Sequence, residues 1–453
     1  MISPARRAAF DATLAVDSGR LDLSAALATA RDSLADPRDR ALATDIAVGT
    51  QRWRGRLDFL LEQATGRALA RLDLEVLAVL RLSVYQLRFL TRVPASAVVN
   101  DAVQLVRVAR KRSATGLVNA VLRRVATEPS ELPAPPFADP GSSAWHAQAI
   151  AYLSVTGSHP AWLVERWLAR YGWEATAAWV AFNNTTPPVT LWPAPGTPAL
   201  TVTPPDVPTS WLPGGVVVGD GATALEPMQT GRAFAQDEAS AAVGAVAAAV
   251  ATPPVYDACA APGGKTLVLA TRLGDGPLLA SGDLRTTRLH TLRRLLQRVG
   301  VARVPLVQAD ARALPFASSL GTLLIDAPCS GLGTVRRDPD VRWRRQPGDL
   351  PELAATQRAM LAEGLRAVGP GGHVVYATCS SEPDENEDVV TAAVAAGGCR
   401  LVPLGTLALP GRLPEAVTTD GWLRTTPPAH GLESFFAAVL ERTGAPGQVE
   451  SSP

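Results

Sequence analysis

The second half of the sequence alternates between short apolar runs and helix-like segments, and this alternation constrains the fold more than any other feature. The helix-like segments include residues 285–299 and 352–368. The apolar runs have the length of buried strands: PPVYDACA, PLLASGD, RVPLVQAD, GTLLIDAP and GHVVYAT. Alternating strands and helices predict a parallel-rich sheet with helices on both faces. Ligands of such sheets bind outside the carboxyl ends of the strands.

The first third of the chain has a different pattern, in which apolar residues recur at helical spacing. LDLEVLAVLRLSVYQLRFL and ASAVVNDAVQLVRVAR both show it. We therefore predict an all-α domain over residues 1–127 and a Pro-rich, non-helical linker over 128–144. A small α+β unit is predicted over 145–235, the α/β domain over 236–443, and a disordered tail over 444–453.

The composition is typical of a globular protein with several domains. The chain has 453 residues, of which 47% are hydrophobic and 19% charged, and ~100–200 residues per domain is usual. No apolar run reaches the ~18 residues that a membrane span needs, and the charged N-terminus is not a secretory signal. Four cysteines without a CxxC pair indicate neither a disulfide framework nor a metal site. We expect a cytoplasmic monomer without a metal.

Basic residues are concentrated at the beginning of the chain. Residues 1–135 contain 20 basic and 14 acidic residues, a balance of +6, whereas the remainder has 23 and 28, a balance of −5. A basic module joined to a slightly acidic one suggests that the first module meets an anionic partner. Six excess charges are also common on helical domains, so this indication is weak by itself.

The stretch DACAAPGGKT, residues 257–266, connects the first strand of the α/β domain to a helix. Gly263 and Gly264 permit a positive φ and a close approach of the backbone to a ligand. The GxxxxGK[ST] spacing of a phosphate-binding loop is absent, which favours a nucleoside or amino-acid ligand over a triphosphate. An ordinary strand–turn–helix connection is the alternative. Lys265 favours a ligand site, since it is one of two lysines among 43 basic residues.

Three consecutive strand-like runs are followed by aspartate. Asp283, Asp310 and Asp326 stand where the second, third and fourth strands are expected to end. A single such aspartate is more often a helix N-cap. Together they predict an acidic rim of the sheet, with Asp283 suited to ribose hydroxyls because it lies about twenty residues past a glycine loop.

Two cysteines also follow strand-like runs, Cys329 in DAPCSGLG and Cys379 in YATCSSEP. The ends of parallel strands converge, so we expect both thiols to reach the same rim. Two buried apolar thiols are the alternative, since this is the usual fate of a free cysteine. Cys259 lies in the glycine loop and lines the predicted ligand site through its backbone. Cys399 is predicted to be structural.

Two arginine-rich stretches are candidate nucleic-acid contacts. The first, residues 331–345, follows Cys329 directly, and the second, residues 107–124, lies in the helical domain. Arginine binds phosphates through paired N–H groups, and tryptophan offers a stacking face. A solvated run of charge is the alternative. The candidates are Arg336, Arg337, Arg342, Trp343, Arg344 and Arg345 in the first stretch, and Lys111 and Arg112 in the second.

These stretches together resemble the NOL1/NOP2/Sun family of RNA cytosine-5 methyltransferases, in particular its bacterial Sun/RsmB type. The resemblance rests on QDEAS, DACAAPGGKT, DAPCSGLGTVRRDPDVRW and YATCSSEPDENEDVV, in that order. It implies a Rossmann-like class I methyltransferase domain behind a NusB-like RNA-binding domain. The implied reaction is methylation of a cytosine in small-subunit ribosomal RNA with S-adenosylmethionine.

The resemblance also implies roles for individual residues. Cys379 would be the nucleophile, and Cys329 would assist release of the product. Sequence reasoning alone leaves this order open, because DNA cytosine methyltransferases use the cysteine of the Pro-Cys pair instead. The residues implied to bind the cofactor are Cys259, Ala260, Ala261, Pro262, Gly263, Gly264, Lys265, Asp283, Asp310 and Asp326.

Several other functions compete with this interpretation. A DNA cytosine methyltransferase would need Cys329 as its essential thiol and leaves Cys379 unexplained. A methyltransferase for small molecules needs neither a NusB-like domain nor an arginine-rich loop. A binding module without activity leaves the aspartates and thiols without a use. Within RNA methylation, a transfer RNA or another RNA is the alternative substrate.

Overall fold

The structure is a computed structural model that describes residues 2–129, 131–137, 139–219, 225–274 and 279–444. The chain divides into two compact units. The helical unit comprises Met1–Thr186 together with Val335–Arg345, and the sheet unit comprises Pro187–Thr334 together with Gln346–Pro453.

This division corrects the predicted small α+β unit over 145–235. Its helices group with the helical unit up to Thr186, and its short strands group with the sheet unit from Pro187 onward. The sequence signals the change from helices to strands, but it does not show that each half packs on a different neighbour. The predicted tail lies outside the described residues from position 445 onward.

The helices alternate with the strands only in the second half of the chain. No described helix combines the length with the apolar composition that crossing a bilayer requires. The helices are α1 (Pro4–Asp17), α2 (Leu23–Asp32), α3 (Pro37–Arg52), α4 (Arg54–Thr65), α5 (Leu74–Phe89), α6 (Ala95–Val108), α7 (Thr115–Thr127), α8 (Ser143–Ala151), α9 (Ala161–Asn183), α10 (Leu225–Gln229), α11 (Glu238–Ala249), α12 (Gly264–Leu273), α13 (Thr286–Arg298), α14 (Val341–Arg344), α15 (Asp349–Ala367), α16 (Glu387–Ala395) and α17 (Pro427–His430).

The helical unit is organised around α5. Every residue of this helix from Val76 to Gln86 is buried, which is the pattern of a helix packed on all sides. Helix starts around it carry the expected caps: the side chain of Asp22 accepts a hydrogen bond from the amide of Ala25 at 2.8 Å. The only non-helical backbone inside α9 is at Gly172, whose φ of 75° is a left-handed conformation.

The sheet unit contains two sheets. A small antiparallel sheet has the order β2-β3-β1-β4, and a larger sheet has the order β10-β12-β9-β8-β5-β6-β7 with β11 paired to β12. The strands are β1 (Val189–Pro193), β2 (Val207–Pro208), β3 (Val216–Val218), β4 (Ala233–Ala235), β5 (Val255–Asp257), β6 (Leu279–Asp283), β7 (Leu306–Gln308), β8 (Leu320–Asp326), β9 (Val368–Thr378), β10 (Cys399–Val402), β11 (Leu423–Arg424) and β12 (Phe436–Arg442).

The larger sheet is mostly parallel, as predicted. β5 pairs in parallel with β6 and β8, β6 with β7, and β8 with β9, whereas β12 runs antiparallel to β9 and β10. Leu323, Leu324 and Ile325 are completely buried, because central parallel strands have helices on both faces and require apolar residues at successive positions. The loops that follow β5, β6, β8 and β9 therefore leave the sheet at one rim.

Candidate active site

The two candidate cysteines lie next to each other at this rim. Their Sγ atoms are 3.4 Å apart, and neither cysteine is part of a disulfide. The register explains the proximity: Asp326 at the end of β8 pairs with Ala377 near the end of β9, so the two loops start side by side. The amide of Gly333 also donates to the carbonyl of Cys379 at 2.9 Å.

The buried carboxylate of Glu385 forms hydrogen bonds with both cysteine loops. Its Oε1 accepts hydrogen bonds from the amide of Ser330 at 2.8 Å and from Nε2 of Gln357 at 2.9 Å. Its Oε2 accepts from Oγ of Ser380 at 2.5 Å. Ser330 follows Cys329 and Ser380 follows Cys379. The side chain of Glu385 is therefore hydrogen-bonded to the residue that follows each cysteine.

The electrostatic environments of the two sulfur atoms differ. The hydrogen bond with Cys379, burial, and the nearby charges of Cys379 and Glu385 raise the pKa of Cys329 well above its usual value. Lys265 lies close enough to Cys379 that a negative charge on the sulfur would favour the ammonium form of the lysine. Burial lowers the pKa of Lys265, but Asp326, Cys379 and Asp257 outweigh it, and the net shift is upward.

Lys265 is fixed by charged and polar neighbours. Its Nζ lies 2.8 Å from Oδ2 of Asp326 and 3.0 Å from Oγ of Ser240, and it stands 5.4 Å from the ring centre of Phe435. Ser240 belongs to the QDEAS stretch at the start of α11. The side chain of Lys265 is therefore at the thiol rim rather than in solvent.

The glycine loop needs both of its glycines. Gly263 has a φ of +123°, and a Cβ there would come within 2.7 Å of Leu292. At Gly264 a Cβ would come within 2.7 Å of the side chain of Gln236. The amide of Ala260 donates to the carbonyl of Gly282 at 2.8 Å, which ties the loop to the end of β6. Burial, followed by the charge of Asp326, raises the pKa of Cys259 in this loop.

The aspartates predicted at the strand ends differ in what they contact. Asp283 ends β6, is 4% exposed, and accepts from the amide of Arg285 at 3.1 Å. Asp326 ends β8 and pairs with Lys265. Asp310 lies two residues after the end of β7, and its carboxylate is paired with Arg312 at 2.7 Å. The prediction that a strand ends at Asp310 is thus corrected.

A further aspartate, Asp257, ends β5 and is completely buried. Oγ1 of Thr266 donates to its Oδ2 at 2.7 Å, and burial raises the pKa of Asp257 to about 7. Asp257 is not among the site residues predicted from the sequence, although it precedes the glycine loop directly. The signal was the same strand end that identified the other aspartates.

Two buried carboxylate oxygens at this rim have no hydrogen-bond partner among the described residues, Oδ1 of Asp257 and Oδ2 of Asp283. Asp283 does approach Arg288, whose Nε is 3.4 Å away, but this leaves room for further donors. Ribose hydroxyls are suitable donors for such a carboxylate. The residues present therefore fit a nucleoside-bearing cofactor. The described residues contain no cluster of three or more His, Cys, Asp or Glu side chains suited to a metal ion.

Most of the arginine-rich stretch after Cys329 belongs to the helical unit. Arg342 has no exposed surface, and its Nη1 donates to the carbonyl of Ser158 at 3.0 Å. Its Nη2 donates to the carbonyls of Val335 at 3.1 Å and Asn183 at 3.3 Å. A guanidinium held in this way has no face for a phosphate, so the RNA-contact prediction for Arg342 is corrected to a structural role.

The neighbours of Arg342 vary in exposure. Trp343 is half-buried, and its Nε1 donates to the carbonyl of Gln51 at 2.7 Å. Arg336 is also partly buried and lies 4.2 Å from the ring centre of Phe182. Arg337 and Arg345 are partly buried, and Arg344 is exposed.

The candidates in the other stretch also differ from each other. Lys111 pairs with Asp73 at 3.2 Å and with Glu75 at 3.6 Å. Arg112 is exposed. Of the candidates in the two stretches, Arg112 and Arg344 are therefore the most open to solvent.

The fold and the site define the class of the protein. A mostly parallel sheet with a glycine loop, acidic strand ends and paired thiols, preceded by a helical domain, is a class I methyltransferase domain behind a NusB domain. The helical domain matches the NusB family over residues 3–127. The α/β domain matches the family described as 16S rRNA methyltransferase RsmB/F over residues 248–441.

Similar proteins span nearly the whole chain. The ribosomal RNA small subunit methyltransferase B of Pseudomonas putida is 34% identical over 428 residues, which covers 89% of this chain and 92% of that protein. The probable ribosomal RNA small subunit methyltransferase B of Bacillus subtilis is 28% identical, with coverages of 90% and 91%. The crystal structure of PH0851 has the same fold at 22% identity, with a TM-score of 0.75 and coverages of 98% and 99%. The chain belongs to the RsmB/F family of rRNA methyltransferases.

Proposed function

We propose that this protein transfers a methyl group from S-adenosylmethionine to C5 of a cytosine in small-subunit ribosomal RNA through a covalent adduct with Cys379. The observation that supports this most directly is the 3.4 Å separation of the Cys329 and Cys379 sulfur atoms. Their position beside the Lys265–Asp326 pair adds to it. A flipped-out base is the kind of substrate that reaches such a rim.

The thiolate of Cys379 solves the problem that C5 of cytosine is a poor nucleophile. Its addition to C6 forms a carbon–sulfur bond and pushes the ring electrons towards C5. Bound along the glycine loop, S-adenosylmethionine would supply the electrophilic methyl group for C5, with its sulfonium sulfur as the leaving group. The C5 proton then leaves to a base, and the C6–sulfur bond breaks to restore the aromatic ring and the thiolate.

The environments of the two thiols support Cys379 as the nucleophile. The hydrogen bond with Cys379, burial, and the charges of Cys379 and Glu385 raise the pKa of Cys329, which disfavours Cys329 as the thiolate that attacks C6 and leaves this role to Cys379. Once Cys379 is bonded to C6, its hydrogen bond and charge no longer act on Cys329. Cys329 is then proposed to lose its own proton to water and, as the thiolate, to take up the C5 proton.

The cofactor is proposed to lie along the glycine loop and the adjacent strand ends. Gly263 and Gly264 allow its close approach, and Asp283 accepts hydrogen bonds from the ribose. Asp257 and Asp326 complete the rim on the side of β5 and β8. Asp310 is proposed to lie near the adenine.

Ribosomal RNA is the proposed substrate because the relatives in Pseudomonas putida and Bacillus subtilis carry that activity in their names. The NusB domain is proposed to hold the RNA while the rim takes the base. Arg112 and Arg344 are the proposed phosphate contacts that stand open to solvent, with Lys111, Arg336, Arg337, Trp343 and Arg345 nearby in sequence. A cytoplasmic monomer is the expected form.

Substitution of each active-site thiol tests this proposal. Cys379→Ala should abolish methylation, and Cys329→Ala should accumulate a covalent protein–RNA adduct visible on a denaturing gel. The matched control is Cys399→Ala, a cysteine on β10 whose Sγ donates only to the carbonyl of Ala393, and it should retain activity. Methylation is mapped by bisulfite sequencing of total RNA, which also detects a transfer RNA target. A Cys379→Ala variant with normal activity would overturn the assignment.

A further inference from the structure

Glu385 is the residue at the rim whose contacts the proposed reaction does not use. Its side chain is completely buried, yet no basic side chain forms an ion pair with it among the residues that the structure describes. Three hydrogen-bond donors on its two oxygens replace such a partner. Burying a carboxylate in this way is costly unless every lone pair is satisfied, so the arrangement needs a reason.

The donors to Glu385 come from three segments of the sheet unit. Ser330 lies on the loop after β8, Ser380 on the loop after β9, and Gln357 on α15. Gln357 also donates to the carbonyl of Pro328 at 3.1 Å, and the hydroxyls of Ser330 and Ser380 are 3.1 Å apart. The residues that follow the two cysteines, Ser330 and Ser380, are thus both bonded to one carboxylate, and Pro328 is linked to it through Gln357.

The two loops depend on this carboxylate to different degrees. Cys379 follows β9 directly, and β9 is held on both sides because Thr378 pairs with Phe436 of β12 and Ala377 pairs with Asp326 of β8. Cys329 lies three residues beyond the end of β8, outside the ladder. Two of the bonds that hold its loop run through Glu385: the 2.8 Å bond from the amide of Ser330, and the bond from Gln357, which Glu385 also holds, to the carbonyl of Pro328. Loss of Glu385 therefore releases the Cys329 loop more than the Cys379 loop.

We propose that Glu385 is a positioning residue that keeps the Cys329 sulfur in contact with the Cys379 sulfur, so that the covalent intermediate can be resolved. This inference rests on the proposed function, in which Cys379 adds to the base and Cys329 completes the reaction. Glu385 itself touches neither base nor cofactor. Its negative charge also favours the protonated form of Cys329, which keeps that thiol from competing as a nucleophile.

The first test measures turnover and adduct together. Glu385→Ala should lower turnover by about 10²-fold, which is the usual effect of a misplaced catalytic group, and should accumulate the covalent RNA adduct as Cys329→Ala does. Glu385→Gln keeps the shape without the charge: its amide oxygen can still accept from Ser330 and Gln357, and its NH2 group can donate to the hydroxyl of Ser380 in place of the bond that Glu385 accepts. It should therefore retain turnover within about tenfold. A Glu385→Ala protein that remains folded but loses turnover without accumulating the adduct contradicts the proposal.

The matched control is Glu238→Ala. Glu238 is also buried, with 6% exposure, and accepts backbone hydrogen bonds from Trp211 and Leu212 at 2.6 and 2.9 Å. Its loss should lower the melting temperature to a similar extent without accumulation of adduct. If Glu385→Ala does not fold, Gln357→Met removes the side chain that links Glu385 to the carbonyl of Pro328 beside Cys329, and it should show the same adduct accumulation at a smaller amplitude.

A second test needs no RNA and is independent of the methylation reaction. Diamide oxidises two neighbouring thiols to a disulfide and is itself reduced to the hydrazine. Peptide mass spectrometry should detect the Cys329–Cys379 disulfide rapidly in the wild type and in Glu385→Gln, and at least tenfold more slowly in Glu385→Ala. Equal rates in all three proteins would overturn the positioning role. Absence of cytosine methylation by the wild type would instead refute the proposed function and leave this test valid.

Discussion

Individual charged residues at the rim differ in their hydrogen-bond and ion-pair partners, and these partners influence how each residue ionises. Lys265 and Asp326 form a close pair with a 2.8 Å separation, so each stabilises the charge of the other. Asp257 is completely buried, and among the residues that the structure describes only the hydroxyl of Thr266 donates to its carboxylate. The neutral acid is therefore the favoured form of Asp257 at mildly acidic pH.

The stability of the cofactor-free protein should depend on pH through Asp257. Its folded pKa of about 7 lies above the unfolded value of ~3.9, so the folded state binds the extra proton in that window. Stability is thus greatest below the unfolded pKa and falls as pH rises towards 7, with a slope approaching ~1.4 kcal/mol per pH unit. Asp257→Asn should remove this slope. Denaturant unfolding at pH 5 and pH 7 measures it, and parallel pH profiles of the two proteins would contradict the prediction.

Residue-level prediction from the sequence was strongest where a residue type was unusual for its position. Cys329 and Cys379 stood out because two thiols followed two strands, and the structure brings their sulfur atoms together. Glu385 could not be found in this way, because PDENE reads as a solvated acidic turn after a strand. Its burial depends on Gln357 and Ser330, which are distant in sequence.

At the scale of secondary-structure elements, the local sequence pattern predicts the strands of the larger sheet but not the packing of the segment around α14. The five strand-like runs became β5 to β9, because their apolar composition and spacing already specify buried parallel strands. The stretch RRDPDVRWRR reads as a charged loop. It packs in the helical unit because Arg342 finds backbone carbonyls there, and a single sequence carries no signal for such a long-range contact.

Arg342 and Arg112 should show opposite effects when substituted. Arg342→Met leaves the carbonyls of Ser158, Asn183 and Val335 without this donor, so the helical unit should lose on the order of 3 kcal/mol of stability. Arg112→Ala changes an exposed side chain and should alter stability by less than about 0.5 kcal/mol while weakening RNA binding at low salt. Denaturant unfolding and RNA titrations at two salt concentrations measure both effects. Weaker RNA binding by Arg342→Met at unchanged stability would restore the original prediction for that residue.

At the scale of the whole molecule, the helical unit is discontinuous in sequence. Its last piece is Val335–Arg345. Trp343 in this piece donates a hydrogen bond to the carbonyl of Gln51, and its ring centre lies 5.7 Å from Cζ of Arg54. It also contributes Asp340, which accepts from the amide of Leu23 at 3.2 Å. These contacts are made with several of the early helices, so residues 335–345 are an integral part of the helical unit.

A fragment of residues 1–186 should therefore be less stable than the same fragment joined to residues 335–345 by a flexible linker. The added piece restores the donors of Arg342 and Trp343, and a few kcal/mol in a unit of this size corresponds to about 10 °C in melting temperature. Circular dichroism on heating measures the difference. As a control, a joined fragment that carries Arg342→Met should lose most of the gain, and equal melting of the fragments would show that the piece is dispensable.

The order of synthesis gives this discontinuity a consequence for the living cell. A ribosome that has made the first 186 residues has not yet made the segment whose Arg342 bonds to the carbonyls of Ser158 and Asn183. Until residue 345 has emerged, the early helices lack these contacts, and the backbone carbonyls that will bond to Arg342 are hydrogen-bonded to water. The amino-terminal domain of this protein is thus the first to be translated but cannot be the first to be finished.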